Sequence, residues 1–238
     1  MNHKSSIIFS PHSDDTVLST GGRILTNYEN ESFSVLNIFS TCAFSILPEL
    51  KNPKEITKLN NLEENEALGR LGINVEFMYL PEVLLRGYKH WNSPPDSNKE
   101  IQTKTLITSK IKELSKIAKR VYFPLGVGNH TDHILVNQIA LESYKFLKGN
   151  VEVFFYEDIP YAFEFNGVEK KVGDLQNALG ESLEEVVSDI SPEIMTKSSL
   201  IGIYKTQYDE KYIKMIADYS ESISKTKGVF HERAWKII

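Results

Sequence analysis

The chain has 238 residues and a single cysteine, Cys42, which excludes an intrachain disulfide framework. Alone, Cys42 reads as a small buried hydrophobe at a strand end. No apolar run approaches the ~18 residues of a membrane span. No charged segment leads into an apolar core at the N-terminus, so a secretory leader is not expected and the cytoplasm is the expected compartment. Basic residues are not in excess: 27 Lys and Arg stand against 32 Asp and Glu, for a formal net charge of -5. An extended nucleic-acid footprint would be basic, so nucleic acid is not an expected partner. Repeats, low-complexity tracts and linkers are also missing, which leaves one domain over residues 1–238. What remains is an ordinary globular composition, 41% hydrophobic and 25% charged, on a chain long enough to bury a substantial core.

Strand-like and helix-like stretches alternate. Residues 6–10, 33–39, 75–79, 121–124 and 151–156 read as strands. Residues 17–28, 56–71, 101–117 and 132–146 read as helices, the second closed by Gly72. Such alternation predicts an α/β fold, a Rossmann-like and mostly parallel sheet flanked by helices. Gly21 and Gly22 fall inside the first helix, where glycine costs about 1 kcal/mol against alanine, so close packing against the sheet is expected there. Residues 84–100 carry two adjacent prolines and a tryptophan and read as a long loop on the rim of a site. Residues 163–185 are mixed, with a hairpin expected around Asn166-Gly167, and the tail from 192 to about 223 reads as helical.

Two stretches carry the chemistry. Pro11-His12-Ser13-Asp14-Asp15 follows the first strand, and His130-Thr131-Asp132-His133 follows the fourth. Open α/β sheets bind ligands beyond the carboxyl ends of their strands, and charge buried there must be paired or coordinate a metal. His12, Asp15 and His133 form a two-imidazole, one-carboxylate set of the kind that holds Zn²⁺ with a position left for water. A metal there lowers the pKa of water and polarises a carbonyl. Asp14 then reads as the base that takes the water's proton, His130 as the donor to the oxyanion or leaving amine, and Asp132 as the group fixing the His130 tautomer. Taken alone, Asp14 and Asp15 would read better as helix caps. If the reading holds, the ring nitrogens of His12 and His133 and a carboxylate oxygen of Asp15 meet one point at about 2.0–2.2 Å.

The residues resemble the LmbE-like, PIG-L-type metal-dependent N-deacetylases. Pro11–Asp15 matches that family's PHPDD signature, Gly21-Gly22 its glycine pair, and residues 126–133 its second motif, a glycine-containing turn followed by HxDH. Residues 71–73 and 156–161 match further stretches of the family. Leu85-Arg86-Gly87-Tyr88 and Tyr204-Lys205-Thr206-Gln207 resemble features of one branch. The resemblance implies hydrolysis of an N-acetyl group from an amino sugar or its conjugate. It implies Zn²⁺, or another divalent transition metal, at His12, Asp15 and His133, with Asp14 as base and His130 as acid and oxyanion stabiliser. Two positions depart from the pattern: Ser13 replaces a proline, which should loosen the turn, and Thr16 replaces a glutamate of the outer shell, a kind of loss that costs roughly 10–100-fold.

Arg86 and Asp158 are candidates to bond sugar hydroxyls, and Tyr88 to stack on a sugar ring. The expected partner is a small amino-sugar substrate, with a homo-oligomer compatible with the sequence. Two other functions compete. A receiver-like phosphotransfer domain would hold Mg²⁺ on oxygens but leaves both histidines of the second motif unexplained. A non-catalytic sugar-binding protein on the same fold is favoured only by Thr16.

Overall fold

The computed structural model describes residues 4–238; His3, for which the sequence offers no role, lies outside them. Its seven-stranded sheet has the order β3-β2-β1-β4-β5-β7-β6. The strands are β1 (Lys4–Ser10), β2 (Glu31–Asn37), β3 (Asn74–Phe77), β4 (Arg120–Pro124), β5 (Glu152–Tyr156), β6 (Leu183–Asp189) and β7 (His231–Ile237). The first five pair in parallel, while β7 runs antiparallel to both β5 and β6. The helices are α1 (Asp15–Asn27), α2 (Pro53–Arg70), α3 (Ile101–Leu114), α4 (Thr131–Leu147), α5 (Tyr161–Phe165), α6 (Val168–Leu179), α7 (Ile194–Ile201) and α8 (Glu210–Ser224). No helix among the described residues is long and apolar enough to cross a membrane.

The central strands are buried on both faces, which is why they read as short apolar runs rather than alternating ones. Ile7, Ile8 and Phe9 of β1 pack with Val121, Tyr122 and Phe123 of β4, and Phe9 stacks on Phe123 with ring centroids 4.6 Å apart. These two strands are direct neighbours, Ile8 opposite Tyr122. From β1 the chain steps outward to β2 and β3, then returns to β4 on the other side. That reversal is the topological switch point, where open α/β sheets bind ligands. The turns after β1 and β4 therefore emerge side by side, and they carry the two predicted motifs.

The C-terminal third departs from the sequence reading. No hairpin forms at Asn166-Gly167; both residues take positive φ in a turn between α5 and α6. The helical tail, α7 and α8, is present but ends in β7, a strand that inserts into the sheet. β7 is hidden in the sequence because its inward positions include Glu232, 6% exposed. Glu232 is neutralised by Lys197, Nζ to Oε1 2.7 Å, a lysine itself buried on α7. The Gly21-Gly22 expectation is corrected in its target. A Cβ at Gly22 would meet Ile190, in the connection after β6, at 2.6 Å, and the nearest atoms at Gly21 are Val17 of the same helix and Lys197.

Candidate active site

The turn after β1 is held tightly. Asp15 Oδ2 accepts from the His12 N–H at 2.8 Å, and Ser10 Oγ donates to the His12 carbonyl at 2.8 Å. Ser13, expected to loosen the turn, instead ties it down: it accepts from Asn37 Nδ2 at 2.7 Å and donates to Asn61 Oδ1 at 3.1 Å. Asp14 has φ 129° and ψ -38°, a conformation that costs a non-glycine residue of order 1–3 kcal/mol and tends to occur at functional sites. Although it stands at the N-cap position of α1, its side chain makes no capping bond. The capping alternative therefore does not describe Asp14.

His12, His130 and His133 each bring a ring nitrogen within 4.8 Å of the others. The three rings are not equivalent. His12 bonds Asp132 Oδ2 through Nε2 at 2.9 Å and turns Nδ1 toward Asp15 Oδ2 at 3.5 Å. His133 bonds Asp158 Oδ1 through Nδ1 at 2.6 Å and turns Nε2 toward the same Asp15 oxygen at 3.3 Å. The His133 Nε2 is fully buried and has no hydrogen-bond partner. A buried nitrogen left bare, with a carboxylate behind the opposite ring nitrogen, is how an imidazole is prepared for a metal. His130 differs. No carboxylate stands behind it; its Nδ1 accepts from the Asp132 N–H at 3.2 Å. An accepting Nδ1 in a neutral ring puts the proton on Nε2.

The electrostatics agree with a cation site. Burial opposes charge on His12 and His133, yet Asp132 and Asp15 leave His12 raised, and Asp15 and Asp158 raise His133 to about 9. The negative potential that favours an imidazolium is the same one that favours a dication. Asp15 is held low despite burial because the His133 and His12 rings both face it. His130 is pushed well below its ordinary value by burial and by His12, so it is neutral near pH 7. Burial and the adjacent Asp15 push Asp14 up to about 8, close to where a general base works best.

Four sequence assignments change place. The Asp132 carboxylate orients His12, not His130, and is itself held by Arg86 Nη2 at 2.6 Å and the Val83 N–H at 3.1 Å. Arg86, proposed to meet substrate, is spent on Asp132 and Glu100 behind the site. The Tyr88 hydroxyl accepts from the Asp96 N–H, and its ring lies under Lys99 rather than in the cavity. Asp158 is fully buried, bonded to His133 and to the Gly126 and Val127 N–H groups. Arg86 and Asp158 are too deep for sugar hydroxyls. Thr16 is buried, and its Oγ1 has no partner.

A cavity of about 570 Å³ opens over the cluster, lined by His12, Asp14, Asp15 and His130 and walled by Phe39, Trp91, Tyr161, Tyr208 and Tyr212. Trp91, from the long loop, stacks on His130 with centroids 5.5 Å apart. Thr131 pins that loop by donating Oγ1 to the Trp91 carbonyl at 2.7 Å. Gly128, φ 78°, lets the second turn pass Tyr161, where a Cβ would lie 2.4 Å away.

Tyr208 was invisible in the sequence: it follows α7 by seven residues, with nothing to relate it to Asp14. Its hydroxyl donates to Asp14 Oδ2 at 2.9 Å, leaving Oδ1 as the oxygen free of it. Tyr208→Phe is expected to lower kcat by roughly tenfold, a lost hydrogen bond to a charged group being worth about 1.5–3 kcal/mol, with folding retained by circular dichroism.

Glu64 lies fully buried behind the turn, accepting from the Tyr204 hydroxyl at 2.6 Å. Burial, with Asp14 and Asp15 nearby, raises it from 4.5 to about 8. The folded protein thus keeps a proton that the unfolded chain releases above pH 4.5. Its stabilising effect is complete below 4.5 and is lost as pH rises through 8. Glu64→Gln is expected to raise Tm by roughly 4–8 °C at pH 9, for an assumed gain of about 2 kcal/mol, and to change it little at pH 4.5. An equal shift at both values would show that the proton plays no part.

The sheet, its switch point and the buried histidine–carboxylate cluster define a Rossmann-like α/β protein with a centre suited to a divalent metal. A family model described as PIG-L, GlcNAc-PI de-N-acetylase, matches residues 7–144, and the chain belongs to that family. It is 26% identical over 219 residues, 88% of this chain and 75% of the relative, to 2'-N-acetylparomamine deacetylase of Streptomyces fradiae. Its fold is similar to a deacetylase of the teicoplanin biosynthesis pathway, with TM-score 0.77 and 18% identity over 99% of this chain and 98% of that one. It is also similar to N,N'-diacetylchitobiose deacetylase from Pyrococcus horikoshii, with TM-score 0.69 and 14% identity over 100% and 84%.

Proposed function

We propose that this protein is a divalent-metal-dependent deacetylase that hydrolyses the N-acetyl group of an amino sugar or amino-sugar conjugate. The observation that carries the proposal is the convergence of two carboxylate-backed imidazole nitrogens on one oxygen of Asp15, at 3.5 and 3.3 Å. His12, Asp15 and His133 would hold the metal. Zn²⁺ suits a donor set of two imidazoles and a carboxylate. When bound, it supplies Lewis-acid polarisation and a lowered pKa for water.

The remaining work falls to the protein. Asp14 accepts a proton from the attacking water through the oxygen that Tyr208 does not occupy, and then returns that proton to the departing nitrogen. His130 presents Nε2–H to the acetyl oxygen as negative charge grows there; such preorganised donors contribute about 2.7–4 kcal/mol each. The water oxygen bonds to the acyl carbon, the C–N bond breaks, and acetate and a free amine leave. Asp132 and Asp158 act through His12 and His133, fixing which nitrogen each ring offers. Trp91 excludes water from one side of His130.

The test is a screen of the purified protein, with and without stoichiometric Zn²⁺, against N-acetyl amino sugars and their glycosides, reading acetate. Acetate release that disappears on chelation and returns with metal supports the proposal. Stoichiometric metal binding with no acetate from any substrate, monosaccharide or conjugate, would overturn it.

A further inference from the structure

We infer that the substrate carries a second, protonated amine besides the acetylated one, and that Glu82 is the residue that selects for it. The inference rests on the deacetylase reading for what is cut, but its observations lie elsewhere in the cavity. Glu82 is 7% exposed and lines the cavity wall beside Val83 and Leu84. Its Oε1 accepts from the Ala43 N–H at 2.7 Å. The Cys42 thiol also lies against it, and burial and Glu82 together push that thiol upward. No ion pair among the described residues includes Glu82, whereas Arg86, four positions on, is paired twice. A nine-tenths buried carboxylate with no cation beside it is an incomplete arrangement.

The rest of the wall repeats the charge. Outside the metal cluster and Asp14, the carboxylic acids lining the cavity are Glu82, Glu164 and Asp209, and no Lys or Arg among the described residues lines it. Glu164 receives the Tyr212 hydroxyl, and Asp209 caps α8 through the Tyr212 N–H at 2.9 Å, so both are fixed in place at the rim. Tyr208 and Tyr212 stack between them, centroids 5.1 Å apart, and offer faces to a cation. A phosphate-bearing conjugate would meet these carboxylates and, among the described residues, no Lys or Arg. An ammonium finds in Glu82 a carboxylate without an ion-pair partner, and a negative, aromatic approach. The volume, about 570 Å³, admits a ligand larger than one sugar ring.

The experiment compares three acylated probes by calorimetry on the zinc-loaded protein: 2'-N-acetylparomamine as a polycation, N,N'-diacetylchitobiose as a neutral disaccharide, and N-acetylglucosaminyl-inositol phosphate as an anion. The acetylparomamine is expected to bind at least tenfold more tightly than the neutral probe at 50 mM salt, with that advantage shrinking as salt rises. In Glu82→Gln, which keeps an oxygen for the Ala43 N–H, the ratio of acetylparomamine to chitobiose affinity should fall about tenfold. Equal affinity for all three probes in the wild type, or an unchanged ratio in the variant, overturns the inference. Acetate release is read in parallel. Release from neutral substrates with no cation preference would leave the deacetylase reading standing and this one rejected. Cation-selective binding with no acetate from any acylated probe would do the reverse.

Discussion

Asp14→Asn is expected to bind zinc with the wild-type stoichiometry and to lose about 10²–10⁴ in kcat, the usual contribution of a positioned general base. The amide keeps the size of the carboxylate and still accepts from Tyr208, so the strained backbone at φ 129° is not asked to change. What it loses is the ability to take a proton. Because Asp14 bonds neither His12 nor His133, while Asp15 faces both, the two adjacent acids separate cleanly. Asp15→Asn should instead release metal, measured by inductively coupled plasma analysis after gel filtration. A variant at Asp14 that keeps most of its activity would remove that residue from the mechanism and leave the base unidentified.

The pH dependence sharpens the same expectation. Burial and Asp15 hold the Asp14 carboxyl near 8, so its basic form gains as pH rises through that region. With a metal bound at Asp15 its charge offsets that of the carboxylate, so the rise in activity should fall at lower pH than the Asp14 titration of the metal-free protein, and the limb should vanish in Asp14→Asn. His130 does not produce this limb, since burial and His12 keep it neutral well below its ordinary range.

The parts of the fold legible in the sequence are those whose information is local. β1 and β4 announce themselves as apolar runs, and each is followed at once by a turn with its histidines and acids. The switch point then places the turns together without any further signal. What stayed hidden depends on distant partners. Arg86 and Tyr88 sit in a loop whose sequence suits a rim, but nothing local says that Asp132 lies within 2.6 Å of the guanidinium. Asp158 follows a strand, where a sugar-binding acid would be placed; that it faces inward to His133 is decided by packing at Gly126 and Val127. Asp132 lies two residues from His130 in sequence, yet the first turn of α4 points its carboxylate at His12. Proximity in sequence guided the backbone but not the side chain there: the Asp132 N–H fixes the His130 tautomer, while side chains two apart at a helix start project in different directions. β7 shows the same limit at fold level, since its buried glutamate makes sense only with Lys197 beside it.

That pair gives the largest effect expected on stability. Lys197→Met should lower Tm by roughly 6–20 °C, from a cost of about 3–5 kcal/mol for leaving one member of a buried ion pair alone. The reason is that the pair bonds to the backbone of α1. Glu232 accepts from the Gly22 N–H at 2.8 Å and the Arg23 N–H at 2.7 Å, while Lys197 Nζ donates to the Leu18 carbonyl at 2.7 Å. In a regular helix the Gly22 N–H and the Leu18 carbonyl would be each other's partners; here each faces one half of the pair. Helix α1, whose first residue is Asp15, is thus joined to α7 and β7 through its own backbone. Glu232→Gln retains an acceptor for Gly22 but leaves the lysine uncompensated, so it should cost a comparable amount. The double variant Lys197→Met, Glu232→Gln should cost less than the two singles added, by about 0.5–3 kcal/mol, since no lone charge is left inside. Urea denaturation of the four proteins measures the cycle. Single losses within about 1 kcal/mol of the wild type, or strict additivity, would show that the pair does not hold α1 to the C-terminal third of the chain.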